Sequence, residues 1–91
     1  MELRDDRVLR NFMTGDGRLH TIPSKHAKRL VVLDHIAQSF EPGRTYPEPE
    51  VNAILERFHP DYAALRRYLV EDQFLTREDA VYWRSGGTFD V

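Results

Sequence analysis

The chain has 91 residues, 41% of them hydrophobic and 31% charged, with a formal net charge of −2. That length supports one domain with one small core, and the composition is that of a folded, soluble protein rather than a disordered one. It contains no cysteine, so disulfides, zinc fingers and thiol catalysis are excluded, and the near-neutral balance argues against strong non-specific nucleic-acid binding.

The N-terminal residues Met1-Glu2-Leu3-Arg4-Asp5-Asp6 are charged and lack the apolar stretch of a signal peptide. No apolar run approaches the ~20 residues needed to cross a bilayer. A cytoplasmic protein without membrane contact is the expectation. The spacing of Leu9, Phe12 and Met13 predicts a helix over 2–13, stopped by Gly15-Asp16-Gly17. Alternation over 18–22 predicts a short strand, which Pro23 ends by removing a backbone donor.

Ser24 is the expected N-cap of the longest helix, spanning 24–40, with Leu30, Leu33, Ile36, Ala37 and Phe40 as its buried stripe. Lys25, Lys28 and Arg29 lie in its first turn, against the helix dipole, so either they are solvated or an anion sits there. Glu41-Pro42-Gly43-Arg44 reads as a turn. The next helix covers 47–58. Proline suits its first turn, Glu48 and Glu50 suit its positive end, and Thr45-x-x-Glu48 offers a capping box. Val51, Ile54, Leu55 and Phe58 repeat at i, i+3, i+4 and i+7.

His59-Pro60 breaks that helix and opens another over 60–71. Its Tyr62, Leu65, Tyr68 and Leu69 face inward, Arg67 faces outward and Arg66 sits on the flank. A hairpin is expected over 74–84, turning at Glu78-Asp79-Ala80, and a flexible tail over 85–91. Two short helices separated by a few residues pack steeply against a third helix, with the hairpin covering the open end. The expected fold is α+β, mainly α: a winged helix-turn-helix-like three-helix core with a C-terminal β-hairpin wing, plus an extra N-terminal helix.

The string Asp16-Gly17-Arg18-Leu19, Ile22-Pro23-Ser24-Lys25, Phe40-Glu41-Pro42-Gly43, Glu48-x-Glu50-Val51-Asn52, Leu65-Arg66-Arg67-Tyr68-Leu69-Val70 and Tyr82-Trp83-Arg84 resembles a prokaryotic family. The family is domain of unknown function twenty-eighty-seven, and the resemblance runs from about Leu9 to Arg84. It implies a setting in bacterial transcription regulation, since members occur alone or fused behind helix-turn-helix regulators. Their own activity is not established, and the resemblance supplies no catalytic residue. Where the family pattern leads one to expect a serine cap, this chain has Pro47.

The candidate nucleic-acid-binding residues are Arg66, Arg67, Arg77, Arg84, Lys25 and Lys28. Arg67 is placed to meet phosphate or guanine, while Arg77 and Arg84 flank a wing that would lie on the backbone. The alternative for Arg66 is an ion pair with Glu50 or Glu56, and for Arg77 and Arg84 cross-strand pairs with Glu78 or Asp79. Asp61, Tyr62, Ala63 and Ala64 make a poor reading surface at the start of that helix. Residues 47–91 hold five arginines against nine acids, net −4, which favours a protein partner or a small basic patch over broad DNA contact. A homodimer is a further option. The four histidines lack metal-ligand spacing, no serine lies in a nucleophile motif, and no glycine loop cradles phosphate, so no cofactor, metal or catalysis is expected.

Overall fold

The computed structural model describes residues 3–88, with side chains described from Asp6 onward. Its elements are α1 (Leu3–Phe12), α2 (His26–Ala37), β1 (Thr45–Pro47), α3 (Glu48–Glu56), α4 (Tyr62–Glu71), β2 (Leu75–Glu78) and β3 (Val81–Arg84). Four helices thus accompany a three-stranded antiparallel sheet of order β1-β3-β2.

The predicted strand over 18–22 reduces to a single bridge between Leu19 and Met13. The ladder cannot extend, because Met13 directly follows α1 and the Leu19 N–H is spent on the Phe58 carbonyl at 2.8 Å. Ser24 does not cap α2. The cap position belongs to Lys25, whose side chain makes no capping bond, and no acid occupies the first turn. After Ala37 the chain tightens, with Ser39 N–H bonded to Ile36 O and Phe40 N–H to Ala37 O, so Phe40 is still carried into the core. Val32, Leu33, Ile36, Ala37 and Phe40 are fully buried, whereas the expected Leu30 is only partly so.

Strand β1 falls between the predicted turn at 41–44 and the predicted helix start at 47. Three residues give no readable period, and its outer two are exposed around the buried Tyr46. Tyr46 pairs with Tyr82 across the sheet, packs edge-on to Phe40 at 5.1 Å, and its hydroxyl accepts from Glu41 N–H at 2.7 Å. The Thr45-x-x-Glu48 capping box therefore does not form. Pro47 occupies the α3 cap without a side-chain bond, and Glu48 N–H donates to Ala80 O at 3.0 Å. Val51, Ile54 and Leu55 bury as expected, with Phe58 half-buried past the helix end. Helix α4 is capped by Asp61, which accepts from Ala64 N–H at 3.2 Å, and Leu65 and Leu69 anchor it inward.

Asp79 and Ala80 both have positive φ, 51° and 62°, the geometry of a two-residue I′ turn that matches strand twist. Residues 85–88 do not form the expected loose tail. Asp34 on α2 accepts from Thr88 N–H at 2.6 Å and from its hydroxyl at 2.8 Å, and Gln38 donates to Thr88 O at 2.9 Å. The backbone passes so close to Gln73 O that a Cβ at Gly86 would lie 2.3 Å from it. The rest of the predicted tail, 89–91, lies outside the described residues.

Candidate functional site

Glu48 opens α3, where the helix dipole favours an acid. Its Oε1 accepts the Tyr82 hydroxyl proton at 2.7 Å. The same oxygen lies 3.9 Å from Arg66 Nε on α4 and 3.9 Å from Arg77 Nη2 on β2. At that separation the two arginines act through charge, not as hydrogen-bond donors. The Tyr82 bond first, and the two guanidinium charges after it, hold the Glu48 carboxyl below its ordinary range. Burial, then donation to Glu48, pushes the Tyr82 phenol up.

Arg66 also donates to Asn52 Oδ1 on α3. Its acid partner is thus Glu48, neither Glu50 nor Glu56, because Glu50 is taken by Arg44 at 2.6 Å. Arg77 likewise pairs with Glu48 and not with the turn acids Glu78 or Asp79. Sequence spacing cannot show this, since Glu48 meets Arg66 only when α4 packs on α3, and Arg77 only when the β1-β3-β2 sheet has formed.

Arg67, beside it on α4, lines the same cleft and is exposed, with its guanidinium 5.2 Å from the centre of the Tyr68 ring. Arg29 of α2 lies over the same ring at 4.3 Å. Arg29 also donates to Ser24 O, while its buried Nε has no hydrogen-bond partner among the described residues. Lys25 and Lys28 are exposed near it on the first turn of α2. None of Lys25, Lys28, Arg29 or Arg67 forms an ion pair with the described residues. Tyr68, expected on the inward side of α4, is partly buried against the core. Its ring also joins the basic start of α2 to the exposed arginine of α4, a link visible in sequence only as the adjacency of Arg67 and Tyr68.

Arg84 is a different residue from the wing cation expected of it. It is 8% exposed, and its guanidinium donates to Gly86 O at 3.1 Å, Phe40 O at 3.4 Å and Thr88 O. It ties the end of α2 to the segment after β3. The six sequence candidates therefore divide: Arg66, Arg67 and Arg77 meet at one cleft, Lys25 and Lys28 sit at the start of α2, and Arg84 is interior. The cleft, of about 450 Å³, opens between α4 and the hairpin, and Glu48, Val70 and Tyr82 line it with the three arginines.

Among the described residues no three His, Asp or Glu side chains gather as a metal-ligand set, and no helix is long and apolar enough to cross a membrane. No curated protein and no solved structure matches the chain. A family model described as an uncharacterised protein conserved in bacteria, DUF2087, matches residues 18–84, from the Leu19 bridge through the end of β3 and without α1. The chain belongs to that family.

Proposed function

We propose that this domain is a non-enzymatic, winged-helix-like module that binds nucleic acid through the phosphate backbone in a bacterial regulatory setting. The observation that carries the reading is the order α2-β1-α3-α4-β2-β3 with β3 central in the sheet. A helix, a short strand, two closely spaced helices and a hairpin packed on that strand form the winged-helix plan. In that plan α4 is the helix presented to the duplex and β2–β3 is the wing.

The cations offered to phosphate are Arg67 on α4, with Lys25 and Lys28 at the start of α2 and Arg29 next to them, none of which has an acid partner among the described residues. Base reading is disfavoured, because Tyr62, Ala63 and Ala64 in the first turn of α4 offer no amide or guanidinium to a base edge. Binding of this kind is weak and sensitive to salt. With three phosphate contacts, affinity for random-sequence duplex should fall roughly 40-fold between about 50 and about 200 mM salt. Electrophoretic mobility shift at those two salts tests this, and absence of binding at the lower salt refutes it.

The second reading is a protein-docking or homodimerising module that has kept the shape without DNA contact. The acidic second half, net −4 over 47–91, favours it. Light scattering of a strict monomer, with no partner recovered by pull-down, would remove its support.

A further inference from the structure

The cleft between α4 and the hairpin has an unusual charge arrangement for a surface groove. Three guanidiniums, Arg66, Arg67 and Arg77, line it together with two acids, Glu48 and Glu71. A single oxygen, Glu48 Oε1, is the acceptor for Tyr82 and the nearest acid to both Arg66 and Arg77. That oxygen is bonded to Tyr82 alone. At 3.9 Å, and with its guanidinium 5.9 Å from the centre of the Tyr82 ring, Arg77 has no hydrogen-bond acceptor among the described residues, and Arg67 has neither acceptor nor acid among them.

Guanidinium forks match the oxygens of a phosphate or carboxylate and are much better satisfied by them than by a tyrosine ring. The floor is rigid: Tyr82 is 2% exposed, and Arg66 is held on Asn52. A volume of about 450 Å³ is within the range that encloses small ligands.

We propose that this cleft is a binding site for a small phosphomonoester, whose phosphate is gripped by Arg67 and Arg77 while Arg66 supplies a fixed positive wall. Phosphate fits better than a monocarboxylate, because it presents three acceptor oxygens to two separate forks and carries up to two charges against the cleft's net +1. Glu48 limits the affinity. It fixes the Tyr82 hydroxyl and draws Arg66 and Arg77 inward, but its charge opposes the ligand. Occupied, the site would tie α4 to the wing, which gives a metabolite a means of acting on whatever α4 contacts. The site does not depend on nucleic-acid binding for its support.

The test is a titration of the isotope-labelled full chain with inorganic phosphate and, separately, with ribose 5-phosphate, followed by amide chemical shifts. Sodium chloride of matched ionic strength is the control. Saturable shifts confined to the neighbours of Val70, Arg77 and Tyr82 are expected. Arg67→Ala and Arg77→Ala, both at exposed positions, should each weaken binding at least about fivefold. Glu48→Gln, which keeps an acceptor for Tyr82, should tighten it. Lys28→Ala should leave it unchanged while weakening any DNA complex, so the two proposals fail separately. Shifts that do not saturate, that chloride reproduces, or that persist in Arg77→Ala with wild-type affinity would overturn the assignment.

Discussion

Two adjacent arginines of α4 are handled in opposite ways. On the side facing α3 and the hairpin, Arg66 is held by Asn52 and shares Glu48 with Arg77, so its charge is largely answered within the protein. Arg67 lines the same cleft but shares a tyrosine ring with Arg29 instead, with Lys25 and Lys28 exposed at the start of α2 and none of the four in an ion pair with a described residue. A ring attracts a cation by about 0.5–1 kcal/mol at an exposed site and leaves its charge in place. A carboxylate cancels it. Position on a helical wheel separates the two residues by a single step, yet the fold makes one a structural fixture and leaves the other free for a partner.

This contrast can be tested from its structural side first. Arg84 is the extreme of the internally satisfied class, and Arg84→Ala should cost about 2–4 kcal/mol in urea unfolding, because it strands the buried carbonyl of Phe40 and the partly buried one of Gly86. Arg84→Lys should recover only part, since one ammonium cannot replace the fork.

The Glu48–Tyr82 pair comes next and is read through pH. The Glu48 carboxyl is lowered in the folded state, so its contribution is present above the ordinary carboxylate range and is lost as pH falls through the folded value. Tyr82 is raised, so its contribution holds below the ordinary phenol range and declines as pH rises above it. Tyr82→Phe should flatten both limbs of the stability profile measured by denaturant midpoints. An unchanged acid limb would show that Glu48 is not anchored as described. The smallest effect is expected at the hairpin. Ala80→Gly, at φ 62°, should stabilise by about 0.5 kcal/mol, the left-handed penalty of alanine being partly offset by the extra freedom of glycine in the unfolded chain.

Helices α2, α3 and α4 and the β2–β3 hairpin were legible in the sequence because each carries a local signal: an apolar period, a break at His59-Pro60, or turn residues between apolar pairs. Strand β1 was not, since three residues beside prolines have no period and become a strand only when β3 pairs with them. The docking of Thr88 onto Asp34 was missed for the same reason, as the segment after β3 reads locally as slack while the partner of Thr88 lies 54 residues away in α2. The site followed this pattern. Its residue types were visible, but the sharing of Glu48 by Arg66 and Arg77, and the burial of Arg84, are tertiary facts. The inward side of Tyr68 was legible on a helical wheel, but the wheel cannot show that the same ring also carries two guanidiniums.

The most direct test of the contrast is the salt dependence of duplex binding by three proteins: wild type, Arg66→Gln and Arg67→Ala. Wild type should bind at low salt. Arg67→Ala should bind more weakly, with a log–log salt slope shallower by about 0.9, the value of one lost phosphate contact. Arg66→Gln should keep the wild-type slope. Equal losses in the two variants, or no binding by the wild type, would contradict the division of labour across α4.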